Sequence, residues 1–519
     1  MSESDAKATD SDEGANGVEA EPEDARDEGT DGIEEPGSSK HPKALPILFF
    51  AEMWERFCFY GMRTLLTLYM VRHFQYSDDL AYGIYGSYNS LVYLTPILGG
   101  LLADRLLGYR RSIVMGGVFM AVGMFMLLIQ NELFFYGGMA VIIVGNGYFK
   151  PNISTLLGKL YKEGDPKRDA GFQIFYMGIN IGALTSTLIC GYIGENWGWT
   201  YGFGLAGIGM ICGLLVFGYG RKHLHGHGEI PEQKAYKKWA LPVLAASVLV
   251  IPVISLMLQH HSVVLYLLIA AALGILGYFL YVSFKEDLAQ RHKIWVLLVL
   301  WVFHSIFWSF FEQAGTSLTL FTARNVDRDL SGWEFPATWG QFFNPLFIVL
   351  LTPVFAMLWP YLSRVKKNPS IPNKFSLGLL QIGVGFGALV LAAGFATEGL
   401  VPIAFLIICY FFHTTGELCL SPVGLSAVTK LAPPRMTGLA MGAWFLSISM
   451  AHKIAGGIAA LTGAAGVKTE GAGEKAAAAT DTLGVYVGVF TQIAYVAVGA
   501  AVLLFLLSFL LKRWLHGVE

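Results

Sequence analysis

Eight charged side chains of this 519-residue chain lie inside long apolar segments. An ionised group at the centre of a bilayer costs at least about 2.5–3.5 kcal/mol, so such residues are rarely accidental. Buried acids and bases can exchange an ion pair for a bound proton, or they can hold a charged solute. The set therefore predicts a polar pathway through an apolar protein; its members are Glu52, Glu55, Arg56, Arg63, Lys150, Glu312, Glu417 and Lys453.

The first apolar segment has one polar face. On a helix that turns 100° per residue, Glu52, Glu55, Arg56, Tyr60 and Arg63 share a stripe about 140° wide. Glu52 and Arg56 are spaced as an i,i+4 pair and can neutralise each other. Arg63 lies about two turns further along and needs a partner from another segment.

Two later segments each carry an acid in a four-residue repeat. One places His304, Trp308 and Glu312 on a single helix face, and the other does the same with His413, Glu417 and Ser421. We interpret both histidines as structural hydrogen-bonding groups. Neither glutamate has a base on its own segment, so each must pair elsewhere or bind a proton.

The buried charges also differ between the halves of the chain. The first six spans carry a net charge of +1 and the last six carry −1. A cavity between the halves would thus have a cationic wall and an acidic wall. This polarity favours a zwitterion whose carboxylate and ammonium groups are separated over a simple anion or cation.

The elements that position these residues are predicted to be membrane-spanning helices. With 54% hydrophobic and only 14% charged residues, the composition excludes an ordinary soluble enzyme. The apolar runs lack strand-like alternation, which disfavours a β-barrel. Fourteen spans are predicted, at 44–71, 80–103, 111–130, 133–158, 169–193, 198–220, 239–258, 262–284, 294–322, 339–362, 375–396, 401–429, 436–463 and 483–511.

The distribution of charge predicts the orientation. The formal net charge of −2 hides 14 acidic and 2 basic residues in the segment 1–39, so residues 1–43 are expected to form a disordered acidic tail. If this tail is cytoplasmic, 23 basic residues fall on the inside and 5 on the outside, which is the bias that cytoplasmic loops show. Both termini are therefore predicted to be cytoplasmic. The five cysteines show no metal-ligand or disulfide pattern.

Five motifs carry a resemblance to a known family. The loop GGLLADRLLGYRR at 99–111 resembles the signature loop of the major facilitator superfamily. Together with EMWERFCFYG at 52–61, it is similar to the proton-dependent oligopeptide transporter family, whose first helix carries E-x-x-E-R-F-x-Y-Y-G. FYMGINIGAL at 175–184, FWSFFEQ at 307–313 and GELCLSPVG at 416–424 agree with this family, and the resemblance extends from Ala44 to Leu511.

The resemblance implies an all-α polytopic membrane protein of the major facilitator fold. Two six-helix bundles at 44–220 and 294–515 would flank a linker, 221–293, with two inserted helices, giving 14 transmembrane helices. The implied activity is alternating-access symport of di- and tripeptides with protons into the bacterial cytoplasm. The implied protein acts as a monomer in the inner membrane, with no cofactor other than the coupling proton and no nucleic-acid partner.

The resemblance also implies roles for individual residues. The carboxyl end of a peptide would face Arg56, Tyr60, Arg63 and Lys150. Its amino end would face Asn180, Asn344 and Glu417, and Ser421 is a further substrate-binding candidate. The side-chain pockets would be shaped by Tyr93, Trp308, Trp444 and Phe445. A salt bridge between Arg63 and Glu312 would close the outer gate, and one between Lys150 and Glu417 would close the inner gate. The residues implied in proton coupling are Glu52, Glu55, Arg56 and Glu312.

Several departures and alternatives stay open at this point. Phe59 replaces a usual Tyr, Ala183 replaces a common Ser, and His452 and Lys453 stand where the family often has a small residue and Asn. The second span has no histidine to serve as a proton route.

Two alternative functions also stay open. A transporter of a nitrate-like anion or an amino-acid-like zwitterion is one alternative, and a peptide-binding membrane sensor is another. An intramembrane enzyme is disfavoured, because no nucleophile has an adjacent base and no metal-ligand cluster occurs.

Overall fold

The computed structural model describes residues 41–162, 165, 167–229, 233–463 and 472–518. Residues 1–40 of the predicted acidic tail lie outside this part of the chain. Fourteen long helices are present in the described residues, and α9 is followed by a short helix, α10. The long helices are α1 (Leu45–Arg72), α2 (Asp78–Leu102), α3 (Tyr109–Met126), α4 (Glu132–Lys159), α5 (Lys167–Asn196), α6 (Trp199–Gly220), α7 (Gln233–Gln259), α8 (His261–Ser283), α9 (Leu288–Phe311), α11 (Phe343–Arg364), α12 (Ile371–Ala392), α13 (Ile403–Leu431), α14 (Thr437–Ala460) and α15 (Ala472–Trp514).

Local sequence signals explain where several helices begin. The side chains of Ser77, Asn131 and Asp287 accept hydrogen bonds from the first-turn amides of α2, α4 and α9. These residue types satisfy amides that have no partner within the helix. Two-residue strands, β1 (Val326–Asp327) and β2 (Val401–Pro402), pair in parallel between the segments that follow α10 and precede α13.

Most of the helices are apolar enough to cross a bilayer. Among the described residues, 11 helical segments satisfy both length and composition. The other three, α1, α3 and α14, carry charged or polar residues that lower their hydropathy, yet they pack among the spanning helices: α1 on α5 and α6, α3 on α4, and α14 on α2 and α9. The predicted fourteen-helix membrane fold is therefore confirmed.

The buried apolar side chains form two clusters. The first cluster consists mainly of residues from α1 to α6, together with most of the buried residues of α7 and α8. The second cluster consists mainly of residues from α9 to α15. The inserted helices α7 and α8 pack beside the bundles, α7 on α4 and α8 on α2, α9 and α14. We call the end of the molecule where α1 ends and α2 begins the outer end, and the opposite end the inner end.

One predicted span is not a single helix. The sequence predicts a continuous helix over 294–322, but α9 ends at Phe311, and Glu312–Gly315 forms a 3-10 turn before α10 (Ser317–Asn325). The break places Glu312 at the C-terminal end of α9 rather than in a helix interior. The last span also differs from its prediction, since α15 begins at Ala472, before residue 483.

A close backbone contact between α2 and α4 requires glycine. A Cβ on Gly99 would lie 1.9 Å from the carbonyl oxygen of Gly147, whereas a Cβ on Gly100 would have no atom nearer than 3.7 Å. Because backbone cannot yield as a flexible side chain does, overpacking here should cost about 1–3 kcal/mol or more. We expect Gly99→Ala to lower the melting temperature of the purified protein by several degrees. Gly100→Ala is the matched control, and equal melting temperatures for the two variants would contradict this packing.

Candidate functional site

The polar face of α1 begins with a buried three-residue cluster. Arg56 Nε lies 3.2 Å from Glu52 Oε1 and also binds Glu55, and all three side chains are buried. Asn146 of α4 donates to Glu55 Oε1 at 3.2 Å, which ties the cluster to a second helix. The Arg56 guanidinium lies 5.2 Å from the ring of Phe59, so the residue that departs from the family pattern provides a cation–π contact.

Arg63 finds its partner in the other half of the chain. Its Nη2 forms an ion pair with Glu312 Oε2, and its Nε donates to the hydroxyl of Tyr85 at 2.7 Å. Both charged side chains are more than nine-tenths buried. The structure thus places the predicted pair together, at the break between α9 and the following 3-10 turn.

Further contacts join the halves at the outer end. Arg324 binds Asp78 with two hydrogen bonds of 2.5 and 2.9 Å. The Thr338 amide donates to Glu195 at 2.7 Å, and Trp339 donates to the Leu188 carbonyl at 2.9 Å. Sequence analysis missed these residues, because Asp78 and Arg324 lie at helix ends, where a charged residue is unremarkable.

Lys150 and Glu417 are not paired with each other in this structure. The Lys150 ammonium lies 4.4 Å from the ring centroid of Tyr93, while Glu417 accepts a hydrogen bond of 2.9 Å from Asn344. Both side chains line the same cavity, so open space separates the two predicted partners of the inner pair. The predicted inner pair is therefore not formed in this conformation.

The central cavity has a volume of about 290 Å³ and lies between the two halves. This is near the lower end of the range of small-molecule sites. Arg56, Arg63 and Lys150 line it from the first half, and Glu312 and Glu417 from the second, so its walls carry opposite charge. The remaining predicted substrate-binding residues also line it: Tyr60, Tyr93, Asn180, Trp308, Asn344, Ser421, Trp444 and Phe445. Glu52 and Glu55 do not, since they lie behind Arg56.

A larger cleft adjoins the central cavity on its inner side. This cleft of about 820 Å³ runs between α5 and α11 and shares Tyr176, Ile179, Asn180 and Ile348 with the cavity. It continues to Phe172, near the start of α5, and to Ala356, in the second half of α11. With the outer end closed by ion pairs and hydrogen bonds, the cavity extends toward the inner end.

His304 holds the aromatic wall of the cavity. Its Nδ1 lies 2.6 Å from Ser447 Oγ, and its Nε2 accepts a hydrogen bond of 2.8 Å from Trp308. The ring lies 4.1 Å from that of Trp444. These contacts give His304 the structural role predicted for it. His413 lies 3.4 Å from Cys409 Sγ, within the second cluster.

His452 is a further residue beside the site to which no role was assigned from the sequence. Its ring is buried, with Nδ1 3.5 Å from Glu312 Oε2 and its centroid 5.0 Å from that of Tyr93. Neither ring nitrogen has a hydrogen-bond partner among the described residues. The unusual pair of residues at 452 and 453 was the available signal, but the sequence did not show which of them faces Glu312.

Lys453 points away from the cavity. Its ammonium donates to Ser87 Oγ at 2.8 Å and to the Gly83 carbonyl at 3.3 Å, and it lies 3.2 Å from His261 Nδ1. These contacts connect α14 with α2 and with the start of the inserted helix α8. Adjacent residues on a helix point about 100° apart, so only one of the two can approach Glu312.

The fold and this site define a helical membrane protein of the major facilitator type with a charged central cavity between its halves. The sequence model of the POT family matches residues 110–475, and the chain belongs to that family. The family resemblance of the motifs is thereby confirmed.

Named relatives and solved structures agree with this membership. The chain is 37% identical to the peptide transporter YePEPT of Yersinia enterocolitica, over 80% of this chain and 87% of the relative. It is 32% identical to the dipeptide and tripeptide permease B of Xenorhabdus bovienii, over 92% and 96% of the two chains. A crystal structure of a peptide transporter, POT, in complex with sulfate has a TM-score of 0.81 at 35% identity and covers 93% of this chain and 98% of its own.

Proposed function

We propose that this protein is a symporter that imports di- and tripeptides together with protons by alternating access. The single observation that carries the proposal is the buried Arg63–Glu312 pair, which joins the two halves directly above a cavity of divided charge. The names of the relatives support peptides as the substrate class. The setting we propose is the bacterial inner membrane, with both termini cytoplasmic and the monomer as the functional unit.

The geometry supports a definite way of holding a peptide. The carboxylate would bind near Arg56, Arg63 and Lys150, while the ammonium would bind near Glu417. The Asn344 amide donates to both Thr414 Oγ1 and Glu417 Oε2 and so fixes the orientation of that carboxylate. A simple anion would leave Glu417 unpaired in the cavity, which disfavours the nitrate-like alternative.

Proton coupling follows from the environment of Glu312. While Glu312 is ionised, it holds Arg63 across the two halves and the outer end stays closed. Protonation removes the negative charge and weakens the pair, so the outer end can open. The proton of Glu312 Oε2 then has an acceptor in unprotonated Nδ1 of His452, which faces the same oxygen at 3.5 Å.

Proteoliposome uptake tests the proposed function. A labelled dipeptide should accumulate inside vesicles when an inward proton gradient is imposed, and it should only equilibrate when the gradient is collapsed. Absence of accumulation under the gradient would overturn the symport proposal. Binding without uptake would instead indicate a sensor, and accumulation of nitrate but not of dipeptide would indicate the anion alternative.

The role of His452 has its own test in the pH profile. Loss of one hydrogen-bond acceptor should destabilise protonated Glu312 by about 0.5–1.5 kcal/mol. We therefore expect His452→Leu to move the midpoint of proton-driven uptake to lower pH by about half to one unit. His452→Asn, which offers an acceptor oxygen near the position of Nδ1, should restore the midpoint.

A shift of the uptake midpoint in His452→Leu can be attributed to His452 only if the ionisable groups around it stay unchanged. The charged and titratable groups that face its ring are Glu312, Arg63 from α1, Lys150 from α4 and Tyr93 from α2, and Lys453 is its neighbour on α14. None of these is altered in the two variants. An unchanged midpoint in His452→Leu, with normal peptide counterflow, would refute the role of His452 as the acceptor.

A further inference from the structure

A second cavity shares no lining residue with the central cavity and lies at the inner end, between the start of α3, the end of α6 and the inserted helix α7. Its volume is about 490 Å³. Three arginines line it, Arg110, Arg111 and Arg221, and no acidic residue lines it within the part of the chain that the structure describes. The cavity is thus a concentrated positive site that the transport mechanism does not use.

The arginines have unused donor capacity. Arg110 is 6% exposed; its Nε donates to the His227 carbonyl at 2.6 Å and its Nη1 to Glu229 at 2.8 Å, but its buried Nη2 has no partner among the described residues. Arg111 stacks on the ring of Tyr236 with its Cζ 3.8 Å from the centroid, and its buried Nη1 likewise has no partner. Buried guanidinium donors without partners are costly unless an anion binds to them.

The rest of the cavity is apolar. Its walls are formed by side chains from three helices and the turn before α3, namely Leu107, Val114, Met115, Phe217, Ala240, Leu241 and Leu244. Val114, Leu241 and Leu244 are exposed, as expected for side chains that face acyl chains. The neighbouring Trp239 is also exposed, and tryptophan favours the depth of lipid headgroups.

We propose that this cavity binds an anionic phospholipid of the membrane, with the phosphate at Arg110, Arg111 and Arg221 and an acyl chain along Val114 and Leu244. The combination of a cationic head region with an apolar groove favours an amphipathic anion over free phosphate. Basic pockets between spanning helices at the cytoplasmic face are suited to such headgroups. The site also gives the inserted helix α7 a role, because α7 supplies Tyr236 and one apolar wall.

The test uses the purified full chain and defined lipids. Phosphatidylglycerol should remain bound to the protein in native mass spectrometry and raise its melting temperature, whereas phosphatidylcholine should do neither. The double variant Arg111→Gln with Arg221→Gln should weaken phosphatidylglycerol retention roughly 30-fold, since each basic residue near the surface contributes about 1 kcal/mol. Arg110 is left intact because its contacts to His227 and Glu229 support the local fold.

A matched control separates the site from general surface charge. Lys366→Gln with Lys367→Gln removes two exposed bases after α11, outside the cavity, and should leave phosphatidylglycerol retention unchanged. Equal weakening by both double variants would overturn the proposal. Equal protection by sn-glycerol 3-phosphate and phosphatidylglycerol would also overturn it, because the cavity would then bind the free anion. Dipeptide uptake is not the readout, so the result is independent of the proposed function.

Discussion

Glu312→Gln is expected to abolish proton-driven accumulation of peptide while retaining exchange of peptide across the membrane. Glutamine is close to glutamate in shape but cannot ionise, so the side chain can no longer alternate between a pair with Arg63 and a bound proton. The variant resembles the protonated state permanently. Peptide counterflow in proteoliposomes, which needs alternating access but no net proton movement, should therefore continue.

Two measurements make this result decisive. Breaking a buried ion pair can cost about 3–5 kcal/mol, so the melting temperature must show that the variant is folded. Glu334→Gln is the matched control, because Glu334 is exposed, pairs with Arg328 and lies outside the cavity. Accumulation at the level of the unaltered protein in Glu312→Gln would refute the coupling role. Loss of counterflow together with accumulation would show a defect in alternating access instead.

Glu417→Ala is expected to weaken binding of dipeptides far more than binding of their amino-blocked forms. The carboxylate is the acidic group on the cavity wall that has no basic partner among the described residues, so it is available to a substrate ammonium. A hydrogen bond to a charged group contributes about 1.5–3 kcal/mol, which corresponds to roughly 10- to 150-fold in affinity.

Affinities for both ligand forms should be measured on the same variants. Leu425→Ala is the matched control, because Leu425 lies two turns further along α13, also lines the cavity and has no polar group to bind an ammonium. It should change the two affinities only slightly. Equal losses for free and amino-blocked peptides in Glu417→Ala would contradict the assignment of Glu417 to the amino end.

The number of helices and the position of their polar faces were predictable from the sequence, because both depend on the order of apolar and polar residues within a single segment. Apolar runs of bilayer length predict spanning helices. The four-residue steps that join His304 to Trp308 are reproduced as a hydrogen bond between the two side chains. The end of α9 at Phe311 was not predictable in this way, since the apolar pattern continues past Glu312 into α10.

The pairing of the buried charges required the tertiary structure. Sequence spacing relates residues on one helix, whereas Arg63 and Glu312 are 249 residues apart. The predicted Lys150–Glu417 pair shows the same limit, because Lys150 lies against Tyr93 and Glu417 against Asn344 in this structure. His452 and Lys453 are neighbours in sequence, yet one contacts the Glu312 carboxylate and the other binds α2 and α8.

By itself, the sequence determined that the chain is a helical membrane protein with acids and bases on inward-facing stripes. Apolar length and helical period are properties of a single segment, so no knowledge of the neighbouring helices was needed. Only the tertiary structure decided which charges meet, that His452 lies beside Glu312, and that three arginines at the inner end line a separate cavity. Those contacts depend on the rotation and packing of helices that are distant in sequence, and on which end of the protein is closed.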